Sequence, residues 1–552
     1  MKIYKVALLT FLLAFLFSCS QDFLDVNLDP NVAVEGELPL LLTAAQVNIG
    51  GEFSTGLGFG GAVYARQLYE LVTSTYAITG ATYQADWNSL YIGGLKDLRE
   101  IDVRAQQDDL AGYQGISKVL SAYIYHQLVD YFGDIPYTEA LQGETILAPA
   151  FEDDAAIYDA LLISLDEAIV LLDTAILRDE LVQGDLMYSA DFANWIAAAN
   201  TLKLKMLLNI SNVDPARAAT GINAILADGR LINKIDGSED WQLAFNTTQV
   251  PDNRHQFYNS QYDQGPGHID NHIMLEMVID EDPRIRYYFY RQAEYDDLDF
   301  QTTPCNARSD CDTWEALFAT GTNYIGRDHG DPNGLPADDA LVTVPGVYPI
   351  GGKFDNSSFN PVNQNGTESV NGAQGAGIMP LFTASMTHFM LAESSLNIPS
   401  VTTPLTAEEH FEAGMVASFS KVRAFSMGTS EVEFIQQFEA DTTEATNDND
   451  SRLYQDLVDT YIIGKMSDFQ AAGSDADRLE LVMRQKNRAQ WGNGMESYTD
   501  LRRTGRPNNF PGSLAPTASF PRRVLYPDSE IAGNPNAPDE VIPQSTPIFW
   551  DN

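Results

Sequence analysis

Apolar residues recur at helical spacing along most of the chain. Between Gly112 and Phe132 they fall at Tyr113, Ile116, Leu120, Tyr123, Ile124, Leu128 and Tyr131, the stripe of an amphipathic helix. The stretch from Ala155 to Ile176 repeats the pattern with Tyr158, Leu161, Leu162, Leu165, Ile169, Leu172 and Ile176. Phe192, Trp195, Ala199, Met206 and Ile210 mark a third stripe, Phe411, Met415, Phe419 and Val422 a fourth, and Leu453, Leu457 and Tyr461 a fifth. Gly133, Gly464 and Gly505 stand where helices are predicted to stop. Helices of roughly 15 to 22 residues joined by short loops predict an all-α fold of stacked helix hairpins, although no clean repeat at a fixed period is visible.

The pattern breaks in two places. From about residue 233 to about 385 the chain is rich in Gly, Asn, Asp, Pro and Tyr, as in "GRDHGDPNGLPADD" and "NSSFNPVNQNGTESVNGAQGAG", with short periodic pieces such as His272 to Ile279. The aromatic content argues against simple disorder. This segment is predicted to be an irregular cap on a helical scaffold of about 36–232 and 386–510, all within one domain, 36–552. The other break is at the start. Lys2 and Lys5 precede an apolar run from Val6 to Phe17, the length of a signal peptide and too short to span a bilayer. The run ends in Leu16-Phe17-Ser18-Cys19, which resembles a bacterial lipobox, with Phe17 bulkier than the residue usual there. Residues 1–18 are therefore predicted to be a lipoprotein signal peptide and 19–35 a tether lipidated at Cys19; the alternative is a cleaved signal with an incidental cysteine. Two or more acyl chains would anchor the chain stably.

Composition narrows the function. Hydrophobic residues make up 44% and aromatics 11%, enough for a sizeable core and for exposed rings as well. The net charge is -44, and -46 once Lys2 and Lys5 have left with the signal peptide. A field of that sign repels phosphate backbones and anionic head groups, so nucleic-acid binding is excluded. It suits neutral or cationic ligands without choosing between them. Cys305 and Cys311, in "PCNARSDCDTW", are predicted to form a disulfide in an oxidising compartment. The seven histidines are scattered, which argues against a metal centre.

Several blocks carry a family resemblance. After Cys19 come "SQDFLDVNLDPN", "HQLVDYFGDIPYTEAL", "DFANWIAAANTLKLKMLLNIS", "WGNGMESYTDLRRTGRPNNFP" and "FPRRVLYPDSEIAGNPNAP", in that order and over nearly the whole mature chain. This set resembles the SusD/RagB family, closest to its SusD-like branch of outer-membrane nutrient-binding lipoproteins. The resemblance implies four tetratricopeptide-like helix pairs with a less regular remainder. It also implies a lipid-anchored protein of the cell outer membrane, surface-exposed and docked on a SusC-like TonB-dependent transporter. Such proteins capture glycan fragments, or in some members peptides, and pass them inward without a cofactor. "SQDFLD" is similar to, though less acidic than, the export signals that send such lipoproteins to the outer face.

Sugar recognition needs aromatic faces for the ring C–H groups and polar groups for the hydroxyls. "TYAITGATYQADWNSLY" offers Tyr76, Tyr83, Trp87 and Asn88; Trp87 is similar in position to a tryptophan that is a sugar platform in some family members, while its spacing to Tyr91 also fits core packing. A second cluster is Trp241, Tyr258, Tyr262, Tyr287, Tyr288, Trp314 and Tyr324, with Arg327 and Asp328. Of these, Trp314, Tyr324 and Arg327 are the predicted ligand contacts. Tyr287 to Tyr290 is predicted to alternate between core and surface as a strand would, and Trp195 and Trp491 to be core. Asp328, Asp331 and Asn333 read as a turn, with a structural calcium ion as the alternative. A glycosidase is the main enzymatic rival, but the chain has no serine nucleophile elbow, zinc-protease helix or phosphate loop, and chance carboxylate pairs are expected at this acidity. A purely scaffolding helical-repeat lipoprotein is the other rival.

Overall fold

A computed structural model describes residues 36–263, 268–294, 316–317, 320–332, 341–362, 372–440, 454–539 and 542–551. Cys19 and the tether, Cys305, Cys311, Trp314 and Asn333 lie outside the described residues. The longer helices are α1 (Leu38–Ser54), α2 (Gly56–Tyr64), α3 (Lys96–Gln107), α4 (Ala111–Phe132), α5 (Asp154–Arg178), α6 (Phe192–Asn209), α7 (Pro215–Asp228), α8 (Ala384–Asn397), α9 (Ala407–Met427), α10 (Tyr454–Ala471), α11 (Asp475–Ala489) and α12 (Gly494–Thr504). The fold is all-α, and consecutive helices α3 to α7 pack one on the next, as do α8 and α9.

Local chemistry sets the helix ends. Asp153 caps α5, Asp191 caps α6, and Asp214 caps α7 with Pro215 in the first turn. Thr406 and Glu409 form a capping box on α9. Gly133 and Gly505 end α4 and α12 with positive φ, as predicted. Gly464 does not end a helix: it lies exposed within α10, because the apolar period continues past it through Met466 to the buried Phe469.

The predicted stripe of α4 also understates its burial. Most of its 22 residues are buried, including His126, Gln127 and Asp130, so it is a central helix covered on nearly all sides. The Asp130 carboxylate is satisfied inside. Asp130 accepts hydrogen bonds from Trp550 Nε1 at 3.0 Å and Asn209 Nδ2 at 3.1 Å.

The stretch between α7 and α8 is built from short elements, and short strands also occur in the loops before α3 and between α4 and α5. Antiparallel strand pairs join β1 (Leu68–Tyr69) to β5 (His268–Ile269), β2 (Ile135–Pro136) to β3 (Phe151–Glu152), β4 (Trp241–Ala244) to β8 (Ile378–Phe382), and β6 (Phe289–Tyr290) to β7 (Val344–Pro345). The predicted alternation at Tyr287 to Tyr290 is not found: a helical turn, Ile285–Tyr288, leads into β6, and all four residues are buried. Both sides of the segment are covered, Tyr287 by Phe354 with ring centroids 4.9 Å apart and Phe289 by Trp491 at 5.1 Å. A second buried cluster forms here, separate from the one centred on α1 to α7.

A buried ionic network fixes α12, which carries one wall of the main cleft. Lys205 Nζ lies 2.9 Å from both Glu496 and Asp500, Lys486 Nζ lies 2.7 Å from Asp500, and Arg503 bridges Asp500 and Glu393. Burial alone would raise the Asp500 carboxyl, yet Lys205, Lys486 and Arg503 hold it well below the usual carboxylate range. These pairs join α12 to α6, α8 and α11 and so orient its outer face. Among the described residues no helix is long and apolar enough to cross a membrane.

Candidate functional site

A cleft of about 1000 Å³ opens between the end of α2, the outer face of α12 and the loop that follows α12. Its aromatic wall includes Tyr64, Tyr76, Phe510 and Phe520, and its polar lining includes Ser513, Thr517, Arg66 and Arg502. Backbone chemistry explains how two of these arrive there. At the end of α2, Gln67 N donates to Ala62 O and Arg66 N to Val63 O. After the short helix Leu71–Ser74, Ala77 N donates to Val72 O and Tyr76 N to Thr73 O. Both are helix-terminating turns whose penultimate position is left-handed and favours glycine. Here Arg66 (φ 61°) and Tyr76 (φ 62°) occupy it. Each costs about 1 kcal/mol or more relative to glycine, the kind of strain that clusters at functional sites.

The loop opposite is pinned rather than loose. Thr517 N donates to Thr75 O at 2.7 Å, Ser513 Oγ to Ser74 O at 2.7 Å, and Leu514 N to His329 O at 2.9 Å. Arg66 Nη2 donates to Pro511 O at 2.7 Å and lies 3.4 Å from the Tyr76 hydroxyl. Arg502 sits over the Tyr498 ring at 4.1 Å and the Trp550 ring at 4.9 Å, and donates to Arg522 O at 2.9 Å. Behind Tyr76, His329 Nδ1 is 3.2 Å from Asp270 Oδ2. Burial pushes the Asp270 carboxyl up to about 7, against the lowering effects of Arg66 and the His272 N–H.

The candidates named from sequence divide. Tyr76 lines the cleft, its ring centroid 5.7 Å from Phe520 and 6.5 Å from Tyr64. Tyr83 is buried one step behind, donating its hydroxyl proton to Tyr64 at 3.1 Å. Trp87 is 3% exposed, its ring packed against Tyr91 and Phe132, each at 4.9 Å, so it is held in the core and does not face the cleft. Asn88 is exposed on its helix. Tyr324 and Arg327 are buried; Arg291 lies over the Tyr324 ring at 4.7 Å and Arg327 over Tyr69 at 5.4 Å. Arg327 is two residues from His329 and so belongs to the segment that backs the cleft. Trp241, Tyr258 and Tyr262 are core.

Sequence reasoning missed Arg66, Arg502, Phe510 and Phe520. A signal for the last two existed in "RPNNFPGSLAPTASFP", a long aperiodic run with two aromatics directly after a helix. A separate acidic group, Asp134, Asp153 and Asp154, brings carboxylate oxygens within 4.8 Å of one another. Each of the three accepts a backbone N–H at the start of α5 or, for Asp154, from Phe549 as well, which accounts for the grouping.

Comparisons with known proteins agree with this architecture. A family model described as "SusD-like_2: Starch-binding associating with outer membrane" matches residues 59–527. No curated protein matches the sequence. Among solved structures, a SusD homologue from Bacteroides fragilis superposes with a TM-score of 0.67 at 19% identity, covering 94% of this chain and 99% of that one. A chitin-binding SusD homologue from Flavobacterium johnsoniae gives 0.63 at 18% identity, covering 93% and 97%. A SusD/RagB family protein from Bacteroides thetaiotaomicron gives 0.64 at 17%, covering 94% and 99%.

Proposed function

The chain belongs to the SusD-like family, and on that premise we propose that it is a cell-surface lipoprotein, anchored through Cys19, that captures glycan and delivers it to a SusC-like TonB-dependent transporter. The family is associated with the outer membrane and with starch binding, and one structural relative is a chitin-binding protein. The observation that carries the reading is the cleft beside α12. It combines aromatic faces with hydroxyl and guanidinium donors at a volume suited to an oligosaccharide segment. Its lining among the described residues contains one carboxylate, Asp551, and that group is bound to Arg522. Hydrolysis of a glycosidic bond uses two carboxyl groups across the scissile bond, so the reading is capture without catalysis.

Tyr76 is the proposed stacking face, with Phe520 beside it. Tyr324, Arg327 and Trp314 are proposed contacts on the cap side, the exposed Asn88 would contribute only if a ligand extends beyond the cleft, and the buried Tyr83 and Trp87 support the wall from behind. The experiment is calorimetry of the soluble chain from Ser20 onward against neutral glycans, acidic glycans and a mixed oligopeptide pool, with product analysis. Saturable heat from a glycan with no product is the expected result. Heat from peptides alone would replace glycan by peptide as cargo, and appearance of cleaved sugar would overturn the non-catalytic reading.

A further inference from the structure

The chain carries 77 acidic residues against 33 Lys and Arg, yet the charged side chains lining its cleft are three arginines and one aspartate. Arg522 is neutralised by Asp551 at 3.1 Å. Arg66 and Arg502 are not: neither makes an ion pair among the described residues. Elsewhere in this protein the buried Arg284, Arg291, Arg488 and Arg503 each hold a carboxylate, while Arg523, buried over the Tyr526 ring at 4.9 Å, makes no ion pair among the described residues.

Arg66 is 5% exposed and its Nη1 has no hydrogen-bond acceptor. Arg502 is 9% exposed, and its Nε likewise has none. The carboxylate whose charge Arg66 feels is Asp270, which lies beyond ion-pair distance and whose own ionisation is opposed by burial. A buried guanidinium without a counter-charge is costly, and a protein with this excess of carboxylates could readily supply one. Instead one such group is placed at a strained, left-handed position where its side chain reaches the cleft wall. The unpartnered nitrogens are themselves shut off from solvent, and Arg66 Nη2 and Arg502 Nη1 already donate to Pro511 O and Arg522 O, so the two guanidiniums act on the cleft through their charge.

From this charge reversal between surface and cleft we infer that the saccharide taken here bears carboxylate groups, a uronic-acid-containing oligosaccharide, with Arg66 and Arg502 supplying the positive field that selects it. The inference rests on the cleft being the glycan site. Neutral sugar units would stack on Tyr76 and Phe520 while the carboxylate is drawn to the guanidinium side.

The test uses pairs of probes that differ only in charge: oligogalacturonate, alginate oligosaccharide and glucuronoxylan fragments, each against its methyl ester. Calorimetry on the intact soluble chain is expected to show at least one acid form binding about tenfold or more tighter than its ester. Arg66→Gln is expected to erase that preference, Arg66→Lys to retain part of it, and Arg502→Gln to weaken it. Should Arg66→Gln fail to fold, Arg66→Gly places the residue favoured by the left-handed backbone at the same position and removes the same charge. Esters or neutral glycans binding as tightly as the acids would overturn this inference and leave glycan capture standing. So would a preference for acid that survives both Arg66→Gly and Arg502→Gln. Binding of peptides only, or of no probe, would remove both readings.

Discussion

Asp270 shows how much of the candidate site depends on single residues behind its surface. Its carboxyl is pushed up to about 7 by burial, and it accepts from the His272 N–H at 2.9 Å while facing His329. An acid whose folded pKa is raised holds its proton more firmly folded than unfolded. Its contribution to stability is therefore complete below the unfolded pKa and is lost as pH rises through about 7. Asp270→Asn keeps an acceptor for the His272 N–H and removes the titration. The variant is expected to gain stability relative to the parent between about pH 5 and about pH 8, read by chemical denaturation at both values. A difference that stayed constant with pH would show that Asp270 ionises normally. At this scale the sequence was only partly legible. Tyr76 could be picked out as an aromatic in a polar loop. Arg66 could not, because its importance comes from a left-handed backbone position at a helix end and from the absence of an ion pair, both tertiary facts.

Helices and their ends were far more readable, since period and capping are local. Ala111–Phe132, Asp154–Arg178 and Phe192–Asn209 coincide with the predicted stripes to within a residue or two. The exception is Gly464, a predicted stop that the helix runs through. Position alone does not end a helix; a left-handed turn and a break in the apolar period do, and α10 has neither at that point. A Cβ added at Gly464 meets nothing within 4 Å. Gly464→Ala is thus expected to stabilise the protein by about 0.5–1 kcal/mol, through lower unfolded-chain entropy and higher helix propensity. Urea denaturation that moved the midpoint down would mean that this face of α10 is covered by something. The segment Tyr287 to Tyr290 resisted reading for the opposite reason. Four consecutive aromatics have no period when both of their sides are buried.

The whole molecule sets a contest between its surface and its cleft. Bulk composition gave the net charge of -44 at once, but not that the charge reverses locally, because Arg66 and Arg502 are separated by over four hundred residues and meet only through the packing of α12 beside α2. An acidic oligosaccharide approaching this protein is first repelled by the surface and then attracted at short range by the arginines. Salt acts unequally on the two. The screening length falls from about 30 Å at 0.01 M to about 10 Å at 0.1 M, which removes long-range repulsion while leaving a partly buried contact largely intact. The association rate of an acidic oligosaccharide is therefore expected to rise with salt over this range, and the dissociation rate to change less. The neutral ester should show neither effect. Stopped-flow or surface-based kinetics with one such pair would resolve the two terms. An association rate that fell with salt would mean that the positive field extends well outside the cleft, so that steering rather than local selection governs capture.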